Sequence, residues 1–338
     1  MSRQSAARQQ GVALLVVLIL LVMMSALAAK ISQQFCRSLQ KTHYQVSQQQ
    51  LRWAIQRQED VVKERLQSDT AGQSKALSPQ GEWHEPEETQ GEDYTVISQV
   101  EDAQNCFNVN SLLAADPAAQ NAGAATLAAK PAKQQIVEQL LARAGMSSAT
   151  AEEVYWQLLD YLDADSITQH SGSENDAWAG STPPRLPANQ MMRTLSEIKL
   201  LPAFPAADYG NVSHWLCALP DTDSRVDVNT LRPEQAELLA ALFTGQLTTD
   251  DAARLIESRP AQGWESVEAF AGELEKHYPQ VKESLAQIQT IIAVNSRYFQ
   301  INSTGTSDDL TLRVVSQLHV DGESGDMTIW QRRYRMIE

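Results

Sequence analysis

The most constraining feature of the sequence is an uncharged apolar run near its start. Residues 12–29 are eighteen consecutive residues with a single polar side chain, Ser25. A run of this length is near the lower limit for crossing a lipid bilayer as a helix. Arg3 and Arg8 precede the run without any acidic residue, which favours an amino terminus in the cytoplasm. The run excludes an ordinary cytosolic protein and predicts one membrane-spanning segment.

The helical pattern continues beyond the apolar run. Residues 30–68 contain neither Gly nor Pro, and apolar residues such as Leu51 and Ile55 recur at steps of four and seven. We therefore expect one helix of more than fifty residues, about 80 Å long, whose second part buries one face. A cleaved secretory signal peptide, with small residues at positions 26 and 28 as its cleavage site, is the alternative.

The strand signals lie far apart in the chain. Residues 94–101 alternate like a strand, and three further strands are predicted over 298–303, 310–320 and 327–337, where turn residues separate them. Residues 69–92 are rich in polar residues, Gly and Pro, which predicts a loop. The four strands form one small antiparallel sheet only if the residues between them are an insertion. The predicted class is α+β.

The inserted block, residues 104–294, has an almost wholly helical pattern. It carries 12 basic and 24 acidic residues, in a chain whose net charge is −15. A weak repeat aligns residues 106–112 with 225–231, and both copies place an Asn before a predicted helix, a helix-capping pattern. Residues 227–270 resemble a SAM-like or helix-hairpin-helix module. Because the surroundings are acidic, we expect protein packing and no nucleic-acid binding.

A short basic leader ending in Gly11, followed by an apolar helix that becomes amphipathic, resembles the type IV pilins and type II secretion pseudopilins. The resemblance implies that a prepilin peptidase cuts between Gly11 and Val12 and methylates the amino group of Val12. Most such proteins carry Glu at the fifth mature position, but Val16 occupies it here. That departure resembles the K-type minor pseudopilins of type II secretion. A subunit with none ahead of it has no amino group to pair with a buried carboxylate.

The resemblance also implies a location, partners and a division of the chain. The protein would be a single-pass protein of the bacterial inner membrane, in contact with its lipid, with its bulk in the periplasm. It would join minor pseudopilins I and J and other pseudopilins, and would initiate and cap the fibre tip in support of protein secretion. The implied segments are a leader (1–11), a transmembrane part (12–30), an amphipathic part (31–68), a pseudopilin loop and sheet (69–103 and 295–338) and the insertion (104–294).

An acidic cluster in the insertion is the strongest signal for a ligand. The carboxylates and carbonyl that we predict as calcium ligands, for one or two ions, belong to Asp160, Asp163, Asp165, Ile167, Glu174 and Asp176. The spacing is not that of an EF-hand, and a solvated loop with capping aspartates is the alternative. The pattern, with the later Ala188-Asn189, resembles the calcium-binding region of the K-type pseudopilins. Asp221, Asp223 and Asp227 form a lesser cluster that we interpret as loop and cap residues.

The three cysteines are interpreted by compartment. Cys106 and Cys217 both lie in the insertion, and an oxidising compartment would let them form a disulfide. The alternative is that both are small core residues. Cys36, just after the apolar run, is expected to be a free and partly buried thiol.

No catalytic motif accompanies these features. The sequence has no G-x-S-x-G, P-loop or H-E-x-x-H pattern, and its six histidines are scattered. We therefore expect a structural subunit and not an enzyme, and a metal-dependent hydrolase using the acidic cluster is the weakest reading. The competing class is a signal-anchored periplasmic binding protein whose helical domain recognises a soluble ligand or DNA.

Overall fold

The fold is described from a computed structural model of the 338-residue chain. The described residues are 4–70, 76–114, 130–174, 178–179, 185–307, 310–322 and 324–337. The chain forms a long amino-terminal helix, an antiparallel sheet and a helical domain inserted between the second and third strands of that sheet. This arrangement confirms the predicted α+β class.

Helix α1 runs without interruption from Gln4 to Thr70. Its second half buries Leu51, Ile55, Val62 and Leu66, each at most 3% exposed. The spacing of four, seven and four residues places these side chains on one face of the helix. The prediction of a buried face over residues 31–68 is therefore right for the part that contains these four residues. It is wrong at the beginning of the range, where Ile31, Phe35 and Leu39 are 59%, 62% and 54% exposed.

A five-stranded antiparallel sheet packs against that face. Its strands, in their order across the sheet, are β1 (Glu87–Gln90), β2 (Thr95–Asp102), β7 (Tyr298–Ser307), β8 (Leu310–Val320) and β9 (Met327–Ile337). Gly305 of β7 permits close packing, because an added Cβ would lie 3.2 Å from side-chain atoms of Ile55 and Leu51.

An ion pair between a buried carboxylate and a partly exposed arginine also holds α1 on the sheet. Glu59 of α1 is fully buried, and its carboxylate accepts hydrogen bonds from Arg332 of β9 at 2.8 and 3.1 Å. Ser316 of β8 donates a further hydrogen bond to Glu59. A buried carboxylate is tolerated when it is paired and hydrogen-bonded in this way.

The prediction of a loop over residues 69–92 is wrong in part. A 3₁₀ helix, Glu82–His84, and strand β1 lie within that segment. Strand β1 is polar (EETQ) and pairs only with β2, so it buries no apolar side chain and leaves no alternating pattern in the sequence.

The inserted domain has its own hydrophobic core. Its α-helices are α2 (Ala132–Arg143), α3 (Ser148–Leu162), α4 (Tyr209–Val212), α5 (Ala236–Leu242), α6 (Thr249–Glu257), α7 (Val267–His277) and α8 (Lys282–Ile288). Its 3₁₀ helices are Val109–Leu113, Leu195–Leu200, Ala206–Asp208, Pro233–Gln235 and Pro279–Val281.

The insertion is not wholly helical, because it contains two short parallel strand pairs. Strand β3 (Phe107–Asn108) pairs with β4 (Leu216–Cys217), and β5 (Val226–Asp227) pairs with β6 (Ile292–Ala293). Each strand pair joins the first segment of one half of the insertion to the last segment of the same half. The repeat found in the sequence therefore marks two halves of similar construction.

An asparagine in each half has the same hydrogen bonds. Asn110 accepts from Met192 N and donates to Met192 O and Leu219 O, at 2.7–2.9 Å. Asn229 accepts from Trp264 N and donates to Trp264 O and Val294 O, at 2.8–3.1 Å.

The predicted capping role of Asn110 and Asn229, the asparagines that precede Ser111 and Thr230 in the repeat, is wrong. The cap of the 3₁₀ helix Val109–Leu113 is Asn108, whose side chain accepts from Asn110 N. Asn110 and Asn229 instead join segments that are distant in sequence. Gly263 is required beside Asn229, because a Cβ there would come within 2.7 Å of the Asn229 side chain.

Candidate functional site

The first half of helix α1 has an apolar surface that no described part of the protein covers. Within the described residues, one helix is long and apolar enough to cross a membrane, and its most apolar part begins at Val12. None of that apolar window is buried inside the protein, and Val12 and Leu15 are 65% and 58% exposed. Such a surface requires lipid or other helices around it.

The predicted processing site lies within this helix. The backbone from Gln4 through Gly11 and Val12 is continuous α-helix. Val16 is 47% exposed and presents an apolar side chain where a carboxylate was expected of the wider family.

The acidic loop that follows α3 brings together three of the predicted calcium ligands. One carboxylate oxygen from each of Asp163, Asp165 and Glu174 lies within 4.8 Å of the others. Oxygen ligands that each lie 2.3–2.6 Å from one calcium ion are separated by distances up to about 5 Å, so this spacing suits one shared ion. Glu174 is buried, Asp163 is half-buried and Asp165 is exposed, which places the cluster at the protein surface.

Two further observations bear on the fit of a cation. Asp163 Oδ1 and Asn189 Oδ1 are buried and have no hydrogen-bond partner in the described part of the chain. Asn189 reaches this loop because its amide Nδ2 donates to Asp165 O at 2.6 Å, and it adopts a positive φ of 47°. The donor set contains oxygen atoms and no His or Cys, which is the chemistry that calcium prefers.

Asp160 occupies a different position from the three clustered carboxylates. It lies on α3, is fully buried, and accepts hydrogen bonds from Gln169 N at 3.2 and 3.3 Å. A Cβ at Gly172 would lie 2.0 Å from Asp160 Oδ2, so the loop can pass the carboxylate only with glycine there. Asp160 therefore supports the fold of the loop.

The carboxylates of the acidic loop lie close enough together to repel one another. Burial raises the pKa of Asp160 above its ordinary value. Burial also raises the pKa of Asp163, and the neighbouring charges of Asp165 and Asp160 raise it further. A divalent cation would remove this repulsion.

The remaining predicted ligands divide into two cases. Ile167 donates its backbone amide to Asp165 Oδ1 at 2.8 Å, and its side chain is exposed. Asp176 lies outside the described residues.

The lesser acidic cluster does not converge. Asp221 forms an ion pair with Arg297 at 3.4 Å. Asp227 is fully buried and accepts from Asn229 N at 2.8 Å and from Ser296 Oγ at 3.1 Å. Its interpretation as a loop and cap residue missed a buried pair, because Asp102 at the end of β2 is also buried and interacts with Asp227 electrostatically. The hydrophobic neighbours Val226 and Val228 were the available sequence signal.

The structure contains the predicted disulfide. Cys106 and Cys217 are bonded, with Cα atoms 5.8 Å apart, and the bond closes a loop over a sequence separation of 111. Cys217 belongs to β4 and Cys106 immediately precedes β3, so the bond reinforces that strand pair. A loop of this length is worth about 5 kcal/mol in the chain-entropy model. Cys36 is free as predicted but exposed, because none of the described residues packs on that stretch of α1.

Comparison with known proteins gives a consistent result. Residues 105–221 and 226–292 match two family models, both described as type II secretion system protein K. The boundary between the two matches falls between the two halves of the insertion. A type II secretion system protein K of Klebsiella pneumoniae is 31% identical over 97% of this chain and 97% of that protein. A putative protein K of Escherichia coli K12 is 30% identical over 97% and 98%.

A solved structure shows the same similarity. A chain from the crystal structure of the GspK-GspI-GspJ complex of enterotoxigenic Escherichia coli superposes with a TM-score of 0.75. The match is 25% identical and covers 87% of this chain and 99% of that one.

Proposed function

Because the chain belongs to the type II secretion system protein K family, we propose that this minor pseudopilin is the terminal subunit of the secretion pseudopilus. There it would initiate and cap the fibre and support protein secretion across the outer membrane. The observation that carries the proposal is the combination of an uncovered apolar helix with a large inserted domain. The helix can pack among other helices, but a head of this breadth could not repeat along a closely stacked fibre.

The apolar part of α1 would anchor the protein in the inner membrane before assembly. With Arg3 and Arg8 on the cytoplasmic side, the sheet and the inserted domain would lie in the periplasm. During assembly the same apolar surface would leave the lipid and pack against the helices of other pseudopilins. This exchange needs no covering by the protein's own chain, in agreement with the exposure of Val12 and Leu15.

Minor pseudopilins of types I and J are the proposed partners. Support comes from the solved complex, in which proteins named GspK, GspI and GspJ are assembled together. Val16 supports the end position, since a first subunit receives no amino group from a subunit ahead of it. The role is structural, and no group of residues described above forms a nucleophile and base pair.

Calcium is the proposed ligand of the acidic loop. Asp163, Asp165 and Glu174, with the side-chain oxygen of Asn189 nearby, are the residues that would hold it. The ion would supply positive charge that neutralises the crowded carboxylates. These residues would join the end of α3 to the loop containing Asn189, so that bound calcium fixes the shape of one side of the inserted domain.

The amino terminus of the native protein tests the proposal. We expect cleavage by prepilin peptidase between Gly11 and Val12, and a methylated Val12 in the mass spectrum of the mature chain. Gly11→Leu should block processing and leave the longer precursor, whereas Ala7→Leu in the leader should be processed normally. A mature mass unchanged by Gly11→Leu would contradict the pseudopilin assignment, and a start near Ala29 would support a secreted binding protein instead.

A further inference from the structure

Strand β9 is a long edge of the sheet, and no other described strand pairs with its outer side. It is the last strand in the order β1-β2-β7-β8-β9 and has eleven residues, whereas β1 at the opposite edge has four. An edge strand presents a row of backbone N–H and C=O groups that a further strand can pair with. Short strands such as β1 offer little to pair with, but β9 offers its full length.

The ribbon formed by β8 and β9 is basic in an acidic protein. It contains Arg313, Arg332, Arg333 and Arg335 and no acidic residue, while the chain as a whole has a net charge of −15. Arg332 is committed to Glu59 of α1. The other three arginines are exposed and form no ion pair within the described residues. We call these three residues, Arg313, Arg333 and Arg335, the arginine patch.

Two members of the arginine patch are placed against each other. Arg313 of β8 is the direct cross-strand partner of Arg335 of β9. Like charges directly opposite each other destabilise an antiparallel pair. Arg333 adds a third positive charge two residues away on the same face of β9, because side chains alternate along a strand. No carboxylate in the described part of the chain pairs with these arginines to reduce the repulsion. The arginine patch is therefore suited to bind an anionic group of another molecule.

A cleft adjoins the arginine patch. The cleft has a volume of about 450 Å³ between the sheet and the inserted domain, and its lining includes Arg193, Arg333 and Trp330. Trp330 is the extra residue of a β-bulge, because Gln317 pairs with Gln331 and Leu318 pairs with Ile329. Its indole Nε1 is buried without a hydrogen-bond partner in the described residues.

We propose that β9 is a docking edge for an extended acidic segment of a partner polypeptide, which pairs with β9 as a sixth strand. Carboxylates of that segment would lie on the arginine patch, and the adjoining cleft would receive its end near Trp330. The inference goes beyond the proposed tip position, because it holds wherever in the fibre the subunit sits.

Other anionic partners fit less well. Nucleic acid would be repelled by the net charge of −15. Lipid headgroups are too far away: Tyr334 of β9 lies over Arg52 of α1, with 5.2 Å from Arg52 Cζ to the ring centroid. Arg52 is 23 residues beyond residue 29, the end of the apolar run, which corresponds to about 35 Å along the helix.

Binding of a designed peptide to the full-length protein in detergent tests this proposal. The probe is a fluorescent eleven-residue peptide that alternates Thr and Glu, matched in length to β9. Two comparison peptides replace Glu by Lys, or interrupt the acidic peptide with a central Gly-Pro. The variant is the double substitution Arg333→Gln and Arg335→Gln, with Arg313→Gln as a second variant. The control, Arg143→Gln with Lys276→Gln, removes the same charge from exposed positions of the inserted domain.

We expect the acidic alternating peptide to bind and to slow hydrogen exchange of residues 327–337. The double substitution in the patch should weaken binding about tenfold, and the control should change it less than twofold. Equal binding of the interrupted peptide, or binding without protection of β9, would overturn strand addition. Preferential binding of anionic vesicles or single-stranded DNA would overturn the choice of partner. If wild type binds no peptide and the patch variant only self-associates, the arginines merely protect the edge and the proposal is wrong.

Discussion

The acidic loop gives a prediction in which two perturbations act with opposite signs. If Asp163, Asp165 and Glu174 share a calcium ion, chelation should destabilise the wild-type protein. Substitution Asp163→Asn should abolish that response. In the presence of chelator the same substitution should stabilise the protein, because it removes one of the three negative charges that repel each other in the loop.

The magnitude follows from the geometry. For charges 4.8 Å apart, an effective dielectric constant of about 20 gives a repulsion of about 3 kcal/mol for each pair. Asp165 is exposed, and solvent screening reduces the effect to about 1 kcal/mol. Calcium at a hundred times its dissociation constant stabilises the folded state by about 3 kcal/mol. For an inserted domain of this size, that corresponds to a melting-temperature rise on the order of 8 °C.

The assay is thermal unfolding of the full-length protein in detergent, with excess calcium or with excess chelator. The matched control is Glu257→Gln, which removes one negative charge from an exposed position of α6. Wild type and the control should show the same calcium-dependent rise. Asp163→Asn should show none, and with chelator it should melt at or above the wild-type temperature.

Two outcomes would refute the reasoning. A wild-type melting curve that is the same in calcium and in chelator would remove the metal assignment. An Asp163→Asn variant that still responds to calcium by several degrees would show that the ion binds elsewhere in the chain.

Two further predictions concern the inserted domain. Asn229→Ala removes three buried hydrogen bonds and should lower the free energy of unfolding, measured in denaturant titrations, by about 3 kcal/mol. The control Asn211→Ala, at an exposed position, should change it by less than about 0.5 kcal/mol. Equal losses in the two variants would contradict the role of Asn229 in joining distant segments. Burial raises the pKa of Asp102 to about 6 and that of Asp227 well above its ordinary value, so the folded state holds protons that the unfolded chain releases. The contribution of Asp102 and Asp227 to the free energy of unfolding should therefore fall as pH rises from about 4 to about 6. Asp227→Asn should reduce the dependence of the free energy of unfolding on pH over this range. An unchanged pH dependence would contradict the raised pKa values of the buried pair.

The sequence was sufficient where a periodic pattern reports one buried face. Strands β8 and β9 match the predicted ranges 310–320 and 327–337, and helix α1 ends two residues beyond its predicted limit. Strand β1 was missed because a polar edge strand buries nothing apolar, so no alternation marks it. The strand pairs inside the insertion were missed for another reason, since two-residue strands are too short to show any period.

The acidic loop shows a different limit. Sequence proximity placed Asp160 among the calcium ligands, but its position on α3 turns its side chain inward, to accept from the loop backbone. The contact between Asn189 and Asp165 joins residues 24 apart and depends on tertiary packing, which a local pattern does not contain.

The position of this subunit in a purified pseudopilus tests the central claim most directly. Gold-labelled antibodies against the inserted domain, viewed on purified fibres by electron microscopy, would report that position. A terminal subunit predicts one label per fibre, always at an end. Labels at regular intervals along the shaft, or fibres that never carry the label, would contradict the claim.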